Sequence, residues 1–327
     1  MESPIIHRRD FRLRYYEMDA YAEATPVTIL NLLEETAFSH CEESGWDVYR
    51  LVSEGYGWIL LRGGIEMRRY PSYREAFSIE SWCSGTKNFY GTREYRILSP
   101  SGELLGFARS LWLFFSLERR RPVPVLPDIV EAWRPGGPPA GDLELGAVEG
   151  PGPESVEASR SFEVRLSDID TNGHVNNVNY LAWAIESMPP EARRQAKLTR
   201  LRGQFKHEVE YGSTVRPAFR AEADRCLHGA YATRPGETEP YLAAAAESVW
   251  TPRPAPESAA AAESRGPSER GRTGETSFGQ SRAEEVRPDP RRARQGAGGL
   301  RRGFPAPSDR SLALPSREAY IRPGGQP

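Results

Sequence analysis

The chain has 327 residues, a length at which about two domains are expected, and its 43 basic and 45 acidic residues nearly cancel. The last 77 residues hold 14 arginines and nine acidic residues, so residues 1–250 carry a formal net charge of −7. A mildly acidic folded part argues against a nucleic-acid-binding surface. No apolar run approaches the roughly 20 residues that a membrane-spanning helix needs.

The cysteines and the N-terminus predict the compartment. Cys41, Cys83 and Cys226 are widely spaced and form no C-x-x-C pair, which fits a reducing environment and argues against a disulfide framework or a thiolate metal cluster. The first residues do not resemble a secretion leader. We therefore expect a soluble, cytoplasmic protein.

In the first half, alternating apolar residues predict a strand over residues 10–19. Thr25 and Pro26 suit the N-cap and first position of a helix that should end near Gly45. A series of strands separated by Pro- and Gly-containing turns follows, with predicted ranges 58–61, 64–69, 76–82, 90–98 and 104–116. The Pro- and Gly-rich residues 134–158 predict a linker.

The second half repeats this order. Alternation predicts a strand over residues 162–166, and apolar residues at helical spacing from Val178 predict a helix that Met188-Pro189-Pro190 ends. Residues 204–209 alternate as a further strand. From residue 253 to 327 the composition cannot bury enough apolar surface to offset chain entropy, so we expect a disordered tail.

An internal repeat relates the two halves. At an offset of 151 residues Arg14 aligns with Arg165 and Asp19 with Asp170, and at an offset of 140 Arg62-Gly63 aligns with Arg202-Gly203. The chain therefore looks like two copies of one strand–helix–sheet unit, an α+β design.

The copies differ at their polar positions. The first copy has Tyr21 and Glu23 where the second has Asn172 and His174. We expect the chemistry in the second copy, which leaves the first free to house an apolar ligand.

Residues 167–180 comprise a strand-to-helix loop and the start of the following helix, and they have an unusual density of polar side chains. Asp170, Asn172 and His174 lie two positions apart, so an extended backbone would place them on one side. The structural alternative is a loop capped by Asx turns. Asn176 and Asn177 already suffice to cap the following helix, so we favour groups that act on one substrate. The helix N-terminus suits an oxyanion.

Glu208 is a second candidate. It lies in the predicted strand 204–209 and shares a face with Lys206, so the residues alone favour an exposed cross-strand ion pair over a role in a reaction. The sequence contains no G-x-S-x-G, P-loop, H-E-x-x-H or G-x-G-x-x-G pattern, so serine-hydrolase, nucleotide and zinc mechanisms lack support.

The loop resembles that of a known family. Asp170-x-Asn172-x-His174-Val175-Asn176-Asn177, followed by Tyr180 in the second of two tandem copies, is similar to the acyl-acyl-carrier-protein thioesterases of fatty-acid synthesis. The resemblance covers roughly residues 8–250. It extends to Tyr16-Glu17-x-Asp19, Gly57-Trp58-Ile59-Leu60, Gly91-Thr92-Arg93 and Ala108-Arg109-Ser110-x-Trp112.

The resemblance implies a tandem (double) hot-dog fold of the α+β class, in which each copy is an antiparallel sheet wrapped around a long central helix. It implies hydrolysis of a fatty acyl thioester to free fatty acid and carrier protein, with no cofactor and no metal. The implied partner is an acyl carrier protein that carries a fatty acyl chain. The resemblance does not decide whether the protein forms a homodimer. The start of the chain, close to its first strand, favours a bacterial member.

The resemblance also assigns residues. Asp170, Asn172 and His174 match the family's functional positions, and Glu208 takes the place of its glutamate, which reverses our interpretation of Glu208. Some relatives have a cysteine directly after this glutamate; here it is Val209, which excludes a thiol nucleophile. The implied domains are an N-terminal hot-dog (1–133) with the acyl-chain pocket, the linker (134–158), a catalytic C-terminal hot-dog (159–252) and the tail (253–327).

Two other functions stay open from the sequence. An acyl-coenzyme A thioesterase of the same fold would differ only in the thiol that carries the acyl group. A non-catalytic acyl-thioester-binding protein would use the same pocket without turnover, although intact polar residues at all four positions argue against it.

Overall fold

The computed structural model describes residues 3–152 and 160–253. Its first half consists of β1 (His7–Arg12), α1 (Pro26–Glu43), α2 (Val48–Ser53), β2 (Tyr56–Met67), β3 (Ala76–Lys87), β4 (Tyr90–Leu98), β5 (Leu104–Ser116), β6 (Arg121–Pro122) and α3 (Pro127–Trp133). The second half consists of β7 (Phe162–Glu163), α4 (Asn177–Glu186), α5 (Pro190–Gln195), β8 (Ala196–Phe205), β9 (Thr214–Ala221), β10 (Cys226–Thr233) and β11 (Tyr241–Pro252). Residues 153–158 of the predicted linker, residue 159 and residues 254–327 of the predicted tail lie outside the described residues.

Helices α1 and α4 begin at the predicted caps. The Thr25 hydroxyl accepts a hydrogen bond from the Thr28 backbone N–H at 3.0 Å, and Pro26 takes the first helical position. The Asn176 side chain accepts from the Val178 N–H at 2.8 Å in the same way. Helix α1 has 18 residues and α4 only 10, so the central helix of the second half is the shorter one.

One antiparallel sheet runs through both halves. Among the described residues eleven strands join it, in the order β1-β3-β4-β5-β2-β8-β11-β10-β9-β7, with β6 paired to β5. The order on one side of the β2–β8 contact repeats on the other, which confirms the duplication that the sequence offsets predict. Each half wraps its strands around one helix, as expected.

The strand contact between the halves includes two glycines that lie opposite each other. Gly63 lies opposite Gly203, and the flanking pairs are Arg62 with Gln204 and Gly64 with Arg202, so equivalent residues meet symmetrically. A Cβ atom on Gly203 would lie 2.6 Å from a methyl carbon of Leu181. A side chain at position 203 would therefore displace the Leu181 side chain, and glycine lets α4 pack closely on β8.

Several predicted strand boundaries are wrong. The strand predicted over residues 10–19 ends at Arg12, because a 3₁₀ turn over Tyr15–Glu17 follows. The strands predicted over residues 58–61 and 64–69 are one strand, β2, with a register shift between Leu60 and Arg62. The strand predicted over residues 162–166 has two residues before the 3₁₀ turn Leu166–Asp168.

The main hydrophobic core is shared by both halves. Leu33 of α1 and Ile65 of β2 belong to the same buried cluster as Leu181 of α4 and Leu201 of β8. Since this cluster spans the β2–β8 contact, burial of apolar surface holds the halves together. No helix in the described part of the chain is long and apolar enough to cross a membrane.

The described part of the linker, residues 134–152, packs against the sheet. The Leu143 carbonyl accepts a hydrogen bond from Arg109 at 2.8 Å, and the Gln204 side chain accepts from the Val148 N–H at 2.9 Å. Leu143 and Val148 are themselves buried. This segment therefore forms hydrogen bonds with strands of both halves, although it contains no helix or strand.

Candidate active site

The polar loop of the second half is a tight turn. The Asp170 N–H donates to the His174 carbonyl at 2.8 Å, and the Gly173 N–H donates to the Asp170 carbonyl at 3.1 Å. Gly173 has a φ of +81°, which a glycine adopts without strain. Our premise that Asp170, Asn172 and His174 share one side of an extended backbone is therefore wrong, because the chain reverses between them.

Asp170 organises this turn. One of its carboxylate oxygens accepts from the Asn172 backbone N–H at 2.8 Å, and the other lies 3.4 Å from the Asn172 side-chain nitrogen. This is the Asx turn that the structural alternative predicts. The Asp170 carboxylate thus fixes the loop, and the exposed Asn172 amide lies at its tip.

His174 and Glu208 come together across the loop. The His174 Nε2 and Glu208 Oε2 atoms are 3.6 Å apart, and their side chains are 21% and 15% exposed. Since that distance exceeds a normal hydrogen bond, a water molecule can join the two groups.

The segment that carries Glu208 leaves the sheet, so its prediction as strand 204–209 is wrong after Phe205. It is fixed by other contacts instead. The Val175 N–H donates to the Val209 carbonyl at 2.8 Å, and the Val209 N–H donates to the Tyr180 hydroxyl at 2.9 Å. The Tyr241 hydroxyl donates to the Glu208 carbonyl at 3.0 Å. These bonds hold Glu208 beside the loop.

A cavity joins this polar group to the first half. Asp170, Asn172, His174 and Glu208 all line it, and most of its remaining wall is apolar: Ala37, Trp46, Leu51, Trp58, Ile59, Trp112, Phe115 and Trp133 are among the side chains. The volume is about 170 Å³. The four residues selected from the sequence therefore face one cavity together.

The cavity extends from the surface into the interior. Phe38 and Val52 are exposed members of its wall, whereas Cys83 and Arg93 are buried. The Arg93 guanidinium donates to Ser81 Oγ at 3.1 Å and lies 2.9 Å from His40 Nδ1. Burial raises the pKa of the Cys83 thiol, so this cysteine stays protonated at neutral pH.

The first half keeps the backbone of the loop without its chemistry. The Asp19 N–H donates to the Glu23 carbonyl at 2.8 Å, and Asp19 accepts from the Tyr21 N–H at 2.9 Å, as Asp170 does from Asn172. The Ala24 N–H donates to the Pro71 carbonyl at 2.9 Å, matching Val175 and Val209. Glu23 therefore stands where His174 stands, and Tyr70 where Glu208 stands.

Lys197 of the second half and Arg253 occupy the loop of the first, which the sequence did not predict. Arg253 is the first residue of the predicted disordered tail, and that boundary is wrong because its N–H donates to the Gln195 carbonyl at 2.8 Å. Lys197 lies 2.7 Å from Glu23, and Arg253 lies 3.0 Å from both Glu23 and Asp19. The Arg253 guanidinium also stacks 3.9 Å above the Tyr21 ring. This loop is therefore filled by ion pairs.

We expect Arg253→Ala to lower the free energy of unfolding by about 1–3 kcal/mol, between the values typical of exposed and buried ion pairs. The change leaves two half-buried carboxylates with Lys197 alone. Urea unfolding at pH 7 measures it, with Arg220→Ala as the control, because Arg220 pairs with Glu222 at the exposed surface. Equal stability of the two variants would contradict the prediction.

The sequence analysis also missed Glu34. It lies on α1 beside the core-facing Leu30, Leu33 and Ala37, and it lines the cavity with the four predicted residues. Glu34 lies four residues after Leu30 and three before Ala37, which places it on the same face of the helix. This spacing could have indicated that Glu34, one of two adjacent acids, borders the core. In the described parts of the chain no group of three or more His, Cys, Asp or Glu side chains is arranged to hold a metal ion.

The fold defines the class: two hot-dog units fused in one chain, with a polar loop of one facing an apolar cavity of the other. Family comparison agrees. The acyl-ACP thioesterase N-terminal domain matches residues 4–133, and the acyl-ACP thioesterase C-terminal domain matches residues 153–250. The chain belongs to the acyl-ACP thioesterase family.

Plant proteins are among the similar sequences. The chain is 26% identical over 249 residues to a chloroplastic acyl-[acyl-carrier-protein] hydrolase of Cuphea viscosissima, a match covering 70% of this chain and 59% of that protein. It is 28% identical over 239 residues to the chloroplastic oleoyl-acyl carrier protein thioesterase 2 of Arabidopsis thaliana, covering 66% and 63%. The chain thus matches about three fifths of the length of these relatives.

Solved structures share the fold. An acyl-ACP thioesterase from Bacteroides thetaiotaomicron superposes with a TM-score of 0.67 at 19% identity, covering 75% of this chain and 98% of the other. The 12:0-ACP thioesterase from Umbellularia californica has the same TM-score and identity, with 76% and 98% covered. These similarities confirm the tandem hot-dog fold.

Proposed function

We propose that this protein hydrolyses fatty acyl thioesters of acyl carrier protein and releases the free fatty acid. One observation carries the proposal: Asp170, Asn172, His174 and Glu208 open onto the same apolar cavity of the first half. A fatty acyl thioester matches this arrangement, because it consists of an apolar chain attached to a polar carbonyl group. Family membership and the printed functions of the plant relatives support the same activity.

In this proposal the two halves have different tasks. Residues 1–133 hold the acyl chain and residues 159–252 supply the reacting groups. Each methylene group that enters the cavity contributes about 0.8 kcal/mol of binding free energy. The loop of the first half cannot act as a second site, because Lys197 and Arg253 fill it.

Glu208 is the general base. Its carboxylate lies 3.6 Å from His174 Nε2, a spacing that suits a water molecule shared by the two side chains. Asp170 is less suited, since its oxygens face Asn172 and fix the turn. Glu208 removes a proton from the water, and the water oxygen attacks the thioester carbonyl carbon.

The developing negative charge on the carbonyl oxygen needs donors. The Asn172 amide and the N-terminal end of α4 supply them, because helix N-termini favour negative charge. When the tetrahedral intermediate collapses, the carbon–sulfur bond breaks and the thiolate leaves with the bonding electrons. The proton held by Glu208 returns to the sulfur, so water and thioester become acid and thiol.

The test is incubation of the full chain with a mixed pool of acyl carrier proteins loaded with saturated and unsaturated chains, followed by identification of the released acids. The matching acyl-coenzyme A pool is run in parallel. We expect faster release from the carrier protein. Faster release from coenzyme A would instead identify an acyl-coenzyme A thioesterase, and tight binding without release from either would identify a binding protein.

A further inference from the structure

Glu34 connects the first half to the reactive loop of the second. Its Oε2 atom accepts a hydrogen bond from the Asn176 side-chain nitrogen at 2.9 Å. The oxygen of the same amide accepts from the Val178 N–H at 2.8 Å and caps α4. The Asn176 N–H donates to the Asp168 carbonyl at 2.9 Å. The Asn179 N–H donates to the Asn176 carbonyl at 3.0 Å. Asn176 is therefore bonded through both its backbone and its side chain, and its side-chain nitrogen connects it to Glu34 of the other half.

The surroundings of Glu34 disfavour a negative charge. It lines both the main cavity and a smaller apolar cavity beside it, whose wall includes Leu33, Leu181 and Phe205. No ion pair to Glu34 occurs among the described residues. Burial raises the pKa of this carboxyl group, the Asn176 hydrogen bond opposes the rise, and the charges of Asp170 and Glu35 add to it.

Other charged or titratable groups face the same space from the elements around Glu34. They are Cys41 on α1, Tyr56 on β2, Cys83 on β3, Arg93 and Tyr95 on β4, Arg109 on β5, and His174, Asp170 and Glu208 of the reactive group. Of the two arginines, Arg109 is paired with Glu94 at 2.7 Å and Arg93 is bonded to neutral groups. Neither forms an ion pair with Glu34.

We propose that Glu34 is a positioning residue of the reaction, a protonated carboxyl group that holds Asn176, and with it the loop from Asp170 to His174, in the reactive geometry. Its carbonyl oxygen accepts from Asn176, and its neutral state avoids repulsion with Asp170. This inference rests on the proposed function. It gives the first half a second task beyond holding the acyl chain.

Two variants of Glu34 test whether it acts as a neutral hydrogen-bond acceptor. Glu34→Gln keeps an acceptor oxygen and can never ionise, whereas Glu34→Ala removes the acceptor. We expect the glutamine variant to retain kcat within about threefold and to lose the alkaline decline in kcat that ionisation of Glu34 causes. The alanine variant should lose about tenfold in kcat with little change in KM, as loss of one hydrogen bond that acts on the reacting groups predicts.

Glu35→Gln is the matched control. Glu35 is the next residue on α1, but it is exposed and pairs with Arg9 at 2.7 Å, so its replacement should leave kcat unchanged and keep the alkaline decline in kcat. A glutamine variant as slow as the alanine variant would overturn the proposal, because the negative charge would then be needed. An alanine variant with the parent kcat would overturn it as well.

The protonation state of Glu34 is measured separately by carbon NMR of side-chain-labelled glutamate, with Glu34→Gln identifying the signal. We expect Glu34 to titrate above an ordinary glutamate. Titration at the ordinary value would overturn the proposal. If the parent hydrolyses no thioester, the proposed function fails by the kinetic assay, and the NMR titration still decides the state of Glu34.

Discussion

Glu208→Gln should lower kcat on acyl carrier protein thioesters by about 10²–10⁴-fold, the range typical of a lost general base. Glutamine keeps the shape of the side chain and its ability to accept a hydrogen bond, but it cannot take a proton from water. KM should change little, because the acyl-chain cavity is untouched. Steady-state rates on one purified acyl carrier protein substrate measure both constants.

Glu210→Gln is the matched control for this change. Glu210 lies two residues further along the same segment, and its side chain is 58% exposed with Arg234 3.9 Å away. We expect this variant to behave as the parent. If Glu208→Gln kept the parent kcat, water activation would have to be assigned to another group, and Asp170→Asn would then be the variant to compare.

The extent to which sequence predicts this fold differs between its parts. The caps at Thr25 and Asn176 were predictable, because a local side-chain hydrogen bond determines where each helix begins. The duplication was predictable because equivalent residues recur in the same order. The course of β2 was not predictable. Its register shift at Leu61 depends on pairing with β5, a strand that follows β3 and β4 in the sequence.

The site divides in the same way. The composition of the loop indicated Asp170, Asn172 and His174, but the reversal of the chain between them depends on bonds to Val209 and within the turn that no spacing reveals. Glu208 was assigned through family resemblance, because alternation alone favoured a surface ion pair. Glu34 and Arg253 were missed because each acts on a residue more than 100 positions away in the chain.

Acidification should destabilise this protein through two buried histidines. His40 on α1 and His228 on β10 are 2% and 1% exposed. Burial, with Arg93 and His7 adding to the effect, lowers the pKa of His40 to about 3, and burial lowers the pKa of His228 to about 4. Both imidazoles are therefore neutral in the folded protein at pH 5.

The sign follows from proton uptake. An unfolded histidine takes up a proton below about pH 6.5, whereas these two cannot do so in the folded state until the pH falls much further. Each therefore removes up to about 1.4 kcal/mol of stability per pH unit below pH 6.5. Between pH 7 and pH 5 the two together should lower the free energy of unfolding by at most about 4 kcal/mol.

Urea unfolding at pH 7.0 and 5.0 measures this change. His40→Gln and His228→Gln cannot be protonated, so each should roughly halve the pH dependence whatever it does to stability at pH 7. A parent protein equally stable at both pH values would contradict the prediction.

Glu34 acts in the opposite direction. Because folding raises the pKa of Glu34, the folded state holds a proton between the two pKa values that the unfolded state has lost. The contribution of Glu34 to the free energy of unfolding therefore grows as the pH falls towards the unfolded pKa. It is lost as the pH rises through the folded pKa. Glu34→Gln should therefore steepen the acid destabilisation that the histidine variants flatten. If Glu34→Gln steepens the pH dependence of the free energy of unfolding and the histidine variants flatten it, urea unfolding alone distinguishes the buried acid from the buried bases. No assay of activity is needed.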